Sequence, residues 1–267
     1  MSILQAIIYG IVQGLGEFLP ISSTAHLIIV PKIFGWEDPG LAFDIALHLG
    51  TLFAVIMFFW RDWVRLIKDG FTNVKSASGK LFWFLAIACI PGGIAGVLLE
   101  DKAATTFRAT WAIGVALIVM GIILYAADKF GKSVTSLEKI GFVKSIVIGI
   151  SQAIAIIPGV SRSGITIAAG RVLGLTRDAA ARFTFLLSTP FIFGSAVYKL
   201  KDMGEITKSN IGALPFAVAV ITSAIVGALS IKFLLGYIKK KGFGIFVGYR
   251  FILGAFLIAT FVFGWIK

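Results

Sequence analysis

Two long apolar stretches in this chain are each broken in the middle by polar residues, and that pattern restricts the fold more than any other feature. The first runs from Ile3 to Phe34 and is interrupted by Phe18-Leu-Pro-Ile-Ser-Ser-Thr-Ala-His26. The second runs from Phe142 to Gly174 and is interrupted by Ile157-Pro-Gly-Val-Ser-Arg-Ser-Gly164. A membrane-spanning helix needs about 20 mostly apolar residues. Six other stretches meet that need, at 42–60, 81–99, 109–127, 180–199, 211–235 and 246–265. The broken pair instead reads as a short helix, a polar break and a second short helix. In hydrocarbon such a break survives only when it is buried in protein or lines a wet cavity. The expected fold is therefore an all-α polytopic membrane protein with six transmembrane helices and two re-entrant helical hairpins.

Composition agrees. The chain is 58% hydrophobic and only 14% charged, where soluble domains carry about 25% charge. The net charge of +12 invites a nucleic-acid reading, but the cations fall between apolar segments rather than along one face, so no nucleic-acid partner is expected. The single cysteine, Cys89, lies in an apolar run and excludes a disulfide framework or cysteine metal site. Met1–Val12 lacks the basic start of a cleavable leader.

The two broken segments also resemble each other. At a constant offset of 139, Ile7/Ile146, Gly10/Gly149, Ile11/Ile150, Gln13/Gln152, Ser22/Ser161, Ile28/Ile167 and Gly35/Gly174 are identical. One hairpin followed by three spans makes a unit, and an odd number of spans inverts the second unit. The expected organisation is a single membrane domain, 1–267, of two inverted repeats, about 1–127 and 140–267. Paired interrupted segments of this kind point to a central site. Counting Lys and Arg puts sixteen on the face holding 61–80, 128–145, 171–182 and 232–241, and seven on the face holding both termini. The positive-inside rule then places both termini outside.

Within the breaks, Glu17 and Arg162 sit at apolar depth, where an ionised side chain costs about 2.5–3.5 kcal/mol. Hydroxyls cluster beside them: Ser22, Ser23 and Thr24 near His26, and Ser161, Ser163 and Thr166 around Arg162. Arg162 offers a planar fork of donors for phosphate oxygens. Gly159 and Gly164 let the backbone approach a ligand, and the half-helix after Ser163 can aim N–H groups at an anion. Ser23 is a candidate nucleophile with His26 as base or acid, and Glu17 can orient His26 or hold a divalent cation. A phosphate ester whose tail stays in lipid fits this set. Asp44 and His48 share one helix face and line the same region or make a polar contact; Gln13 shares a face with Glu17; Arg250 lies in the last span near a cytoplasmic end.

At these breaks the chain resembles the undecaprenyl-diphosphate phosphatase family associated with bacitracin resistance. The residues that carry the likeness are Gln13-Gly-Leu-Gly-Glu17 running into Ser22, Ser23, Thr24 and His26, and Pro158-Gly159-Val-Ser161-Arg162-Ser163-Gly-Ile-Thr166. The stretches 43–51, 182–190 and 249–251 are similar too. The resemblance implies hydrolysis of undecaprenyl diphosphate to the monophosphate and inorganic phosphate, which recycles the lipid carrier of peptidoglycan synthesis. It further implies a bacterial plasma membrane location, a site reached from the outer face, and a divalent cation, Mg or Ca. It is compatible with a homodimer among membrane lipids. Ser23, His26, Glu17 and Arg162 match the family's catalytic group, with Ser22, Thr24, Gly159, Ser161, Ser163 and Thr166 on the phosphate and Glu17 toward a metal. Gln13 stands where the family takes Glu or Gln. Acid-phosphatase-like membrane enzymes need a histidine after their Ser-Arg, and none follows Arg162. The rival reading is a prenyl-phosphate transporter or flippase using the same phosphate clamp.

Overall fold

The computed structural model describes residues 1–99, 106–199 and 211–265. Lys102, Lys201, Lys208 and Lys267 of the outer-face count lie outside the described residues. Eleven α-helices occur among those described: α1 Ile3–Phe18, α2 Ser23–Phe34, α3 Leu41–Phe58, α4 Trp60–Thr72, α5 Ala77–Leu98, α6 Thr110–Phe130, α7 Phe142–Gln152, α8 Arg162–Val172, α9 Arg177–Lys199, α10 Ala213–Ile238 and α11 Gly244–Val262. There is no strand among the described residues, only an isolated bridge between Thr135 and Leu175.

Helix length separates spans from half-spans. Five helices, α5, α6, α9, α10 and α11, are long and apolar enough to cross a bilayer, and the bent pair of α3 and α4 is a sixth candidate by length and composition. At about 1.5 Å per residue the 16 residues of α1 reach about 24 Å, and α2, α7 and α8 reach about 16–18 Å. None covers a hydrocarbon core of about 30 Å. Instead α1 packs back on α2, and α7 on α8. Apolar side chains such as Ile94, Ile122, Leu229 and Ile252 are exposed along the spans, as lipid-facing surface requires.

The connection expected at 61–80 is mostly helix. After Phe59 the chain turns by 78° into α4. Trp60, Val64, Ile67 and Phe71 form an exposed apolar stripe, Arg61, Arg65 and Lys68 are exposed beside it, and Leu66 and Gly70 pack inward. A stripe spaced four, three and four residues apart, flanked by cations, suits a helix lying in the membrane interface.

Packing pairs the halves crosswise. α1 packs on α10 and α7 on α5; α3 packs on α10 and α9 on α5; α3 meets α9, and α6 meets α11. Two of the offset-matched glycines stand at close approaches of this packing. A Cβ on Gly10 would fall 2.6 Å from the Ala219 carbonyl oxygen, and one on Gly149 would run into the Ala88 backbone. Both second half-helices end at a glycine in the left-handed region, Gly35 (φ 65°) and Gly174 (φ 86°).

Candidate active site

The two breaks have the same backbone device. Ser22 (φ 76°) and Ser161 (φ 71°), 139 residues apart, are the only non-glycine residues with positive φ among those described. Each begins the following helix, its hydroxyl accepting from Ala25 N–H at 3.4 Å or Gly164 N–H at 3.1 Å. Such conformations cost about 1–3 kcal/mol and persist when the surroundings over-determine them. Here the surroundings do so, because the tips are laced together. Ser22 Oγ also accepts from the Gly159 N–H at 3.1 Å, and Ser163 Oγ donates to the Leu19 carbonyl at 3.1 Å.

Arg250 closes the lacing from α11. It is fully buried, and its guanidinium donates to four carbonyls: Leu117 (3.1 Å), Pro20 (3.0 Å), Gly159 (2.6 Å) and Val160 (3.2 Å). Pro20 belongs to the first break, Gly159 and Val160 to the second. This arginine is a structural bolt between the hairpin tips rather than a snorkelling residue.

Against these tips lies a cavity of about 530 Å³, within the range of small-ligand sites. Glu17 is the hub of its polar end. Its Oε1 accepts from Arg162 Nη2. Its Oε2 accepts from Gln13 Nε2 at 3.0 Å and Ser23 Oγ at 3.0 Å, and stands 3.2 Å from His48 Nε2. Arg162 Nη1 is buried and has no hydrogen-bond partner among the described residues. One edge of the fork is thus tied to the carboxylate, and the other is free for an oxyanion. Ser23 begins α2, held against α1 by Gly16, whose Cβ would meet Ser23 Cα at 2.6 Å.

The two histidines have different surroundings. His48 lines the cavity. Its Nδ1 lies 2.7 Å from the Asp44 carbonyl, an acceptor, and its Nε2 faces the Glu17 carboxylate, so an imidazolium satisfies both contacts. His26 does not border the cavity. Its Nδ1 lies 2.7 Å from the Ser22 carbonyl, its Nε2 2.5 Å from the Tyr249 hydroxyl, and its ring stacks on Tyr249.

Of the residues expected at the site, Glu17, Ser22, Ser23, Thr24, Ser161 and Arg162 border one cavity, joined by His48. The others stand behind it. Gly159, Ser163 and Arg250 bind the tips together, Gln13 orients Glu17, and Thr166 bonds to the Arg162 carbonyl and to Thr184. Asp44 is buried one turn before His48 and supports it through its carbonyl. Several cavity residues were not expected there, among them Gln152, Cys89, Arg108, Ser195 and Tyr198. Gln152 was recognised only as the mate of Gln13, and Cys89 as an ordinary apolar packing residue.

Among the described residues, Glu17 is the one acidic side chain bordering the cavity, and no group of three metal-ligating residues occurs. Ions such as Mg²⁺ commonly need only one or two carboxylates beside substrate phosphates. This donor set fits an ion that arrives with a diphosphate, with Glu17 and the adjacent hydroxyls as the protein's share.

Known proteins give the same direction. The family model described as bacitracin resistance protein BacA matches residues 6–256. A protein of Moorella thermoacetica named undecaprenyl-diphosphatase is 51% identical over 261 residues, covering 98% of each chain. Proteins of the same name from Desulforudis audaxviator and Pelotomaculum thermopropionicum are 53% and 50% identical over 258 residues, covering 97% of this chain and 97% and 96% of theirs. With matches across almost its whole length, this chain belongs to the bacitracin resistance protein BacA family.

Proposed function

We infer that this protein is an integral-membrane phosphatase that hydrolyses undecaprenyl diphosphate to undecaprenyl phosphate and inorganic phosphate. In that role it recycles the lipid carrier of peptidoglycan synthesis and confers bacitracin resistance. One observation carries the reading most directly. Ser23 Oγ–H points at a buried carboxylate, beside an arginine with one unpaired nitrogen, in a cavity whose remaining wall is largely apolar. A carrier that only moves lipid has no use for a hydroxyl set against a base.

In the mechanism these contacts support, the free edge of Arg162 takes an oxygen of the terminal phosphate. Ser23 Oγ attacks that phosphorus in line, and its proton passes to Glu17, the acceptor it already faces. The phosphorus–bridging oxygen bond breaks, and the prenyl monophosphate leaves. Water then releases the phosphoryl group from Ser23. Direct attack by water with Ser23 as positioner uses the same contacts. His26, expected to move protons, serves here by holding Tyr249 and the start of α2. Most of the rate would come from positioning and charge stabilisation. A divalent cation, held by Glu17 and neighbouring hydroxyls, would supply charge neutralisation on the diphosphate.

We also propose that 1–127 and 140–267 are inverted repeats, supported by the crosswise packing and the matched Ser22 and Ser161 turns. The site would open to the outer face.

The deciding experiment is phosphate release from a prenyl diphosphate by purified protein in detergent, with and without divalent cation, alongside folded Ser23→Ala and Arg162→Ala. Release by the wild type, lost by orders of magnitude in both variants, is the expected result. Tight lipid binding with no release would overturn the phosphatase reading.

A further inference from the structure

The matched glutamines do different work. Gln13 spends its amide on Glu17 Oε2 at 3.0 Å and Thr51 Oγ1 at 3.5 Å. At the same offset, the place of Glu17 is taken in the second half by Ile156, which offers an amide nothing. Gln152 is only 2% exposed, borders the same cavity as Ser23 and Arg162, and neither its Oε1 nor its Nε2 has a hydrogen-bond partner among the described residues. A buried, unpaired carboxamide is a costly group to keep.

The surroundings keep it clear. Opposite the amide stands Gly92 of α5, where a Cβ would lie 2.6 Å from Gln152 Nε2 and 3.1 Å from the Phe191 ring. That ring also lies under the Arg162 guanidinium, 5.9 Å from its centroid, so Gln152 and Arg162 share a neighbour. Past Gly92 the cavity wall is mostly apolar between the C-terminal halves of α5 and α9, with Arg108, Ser195 and Tyr198 as its polar border. There Gly93, Gly96 and Gly194 border space that their missing side chains would otherwise enter, with nothing within 4 Å. From the hydroxyls outward the cavity therefore presents an arginine, a neutral amide and an apolar trough.

We propose that Gln152 is a substrate-binding residue whose amide donates to the phosphate that stays on the lipid, with the prenyl chain leaving between α5 and α9. The assignment rests on the phosphatase reading above. It gives the amide a reason to be uncharged. The lipid phosphate gains negative charge as the anhydride bond breaks, and a neutral donor stabilises that charge yet releases the product.

The test measures phosphate release from farnesyl diphosphate by wild type, Gln152→Leu and Gln152→Asn. Inhibition is then compared between farnesyl monophosphate, which carries only the lipid-side phosphate, and inorganic phosphate. Loss of one hydrogen bond to a charged group should lower kcat/KM about tenfold or more in both variants. The inhibition constant of farnesyl monophosphate should rise by a similar factor, while that of inorganic phosphate stays within about twofold. Gln152→Leu should unfold no earlier than wild type, because it removes an unpaired buried group; should it fail to fold, Gln152→Asn gives the same comparison. An unchanged farnesyl monophosphate constant, or equal weakening of both inhibitors, would overturn the assignment. If the wild type releases no phosphate, the parent reading falls by itself. Equilibrium binding of farnesyl monophosphate then decides for Gln152, and equal affinity in wild type and variants sinks it.

Discussion

Replacing Glu17 by Gln keeps the shape of the hub and removes its charge. The carboxylate now serves four neighbours, Arg162 through Oε1 and Gln13, Ser23 and His48 through Oε2. A carboxamide has one acceptor and one donor end. With the nitrogen toward Arg162, two donors collide. With the oxygen toward Arg162, Gln13 can flip, since its Oε1 has no partner among the described residues, but Ser23 must then accept and its proton has no base. The second arrangement is the cheaper, so the protein folds with an idle nucleophile. Losing a positioned base typically costs about 10²–10⁴ in rate, and about 10³ corresponds to about 4 kcal/mol. The sign on binding is opposite. Measured without added divalent cation, removing a negative charge beside Arg162 should leave KM unchanged or lower it, because substrate phosphate no longer competes with Glu17. Breaking a buried pair while leaving its cations should cost about 3–5 kcal/mol of stability. Steady-state phosphate release and thermal unfolding in the same detergent measure all three. Retention of more than a tenth of wild-type kcat would refute the base, and a parallel loss of binding and rate would refute the hub geometry.

Arg250→Met should lower kcat about 100-fold, the cost of a shift near 1 Å at a reacting site, with a lower unfolding temperature. Arg250→Lys should not rescue it, because a compact ammonium cannot reach carbonyls set around a planar fork; normal kinetics in either variant would dismiss the bolt. Gly10→Ala and Gly149→Ala should each destabilise by about 1–3 kcal/mol through overpacking, while Gly96→Ala, with open space before it, should not; unfolding in detergent ranks the three. In a Cys89→Ala background, Glu37→Cys should react with a membrane-impermeant maleimide added outside intact cells, and Lys240→Cys only after permeabilisation. The reverse pattern would invert the proposed orientation.

The hairpins were legible because hydrocarbon tolerates so little. A carboxylate, an arginine and a run of hydroxyls inside apolar stretches have few explanations, so Glu17, Ser23 and Arg162 could be placed at one centre before any coordinates. What side chains turn toward was less legible. His26 is three residues from Ser23 and looks like its partner in sequence, yet Tyr249 from α11 takes its ring, while His48 from α3 reaches Glu17 across the bundle. Arg250 lies about two turns into α11, close enough to an end to suggest snorkelling. Both hairpin tips come to meet it there. The bend after Phe59 escaped because α3 and α4 run on with one residue between them, and an apolar stripe in α4 continues the hydropathy of α3.

The site also shows how nearly matched halves make an unmatched chemistry. Where the halves agree they build the frame: Ser22 and Ser161 turn the chain, Gly10 and Gly149 seat the first half-helices, and Gly35 and Gly174 end the second ones. Where they differ, reactive groups occur. Glu17 faces Ile156 in the alignment of halves, Ser23 faces Arg162, and His26 faces Ile165. A strictly symmetric pair would set serine against serine or arginine against arginine across the tips, and like cations at apolar depth repel with no counterion to offset them. Exchanging one member of each pair turns that liability into an ion pair with a nucleophile beside it. Gln13 and Gln152 are the informative exception, being identical in type but with a partner on one side only. On this logic Ile156→Glu, at a position that borders the same cavity as Gln152 and Arg162, would bring a second carboxylate into it. The expected outcome is a stable protein with weakened diphosphate binding, and wild-type KM in that variant would show that Gln152 and Arg162 do not face the substrate together.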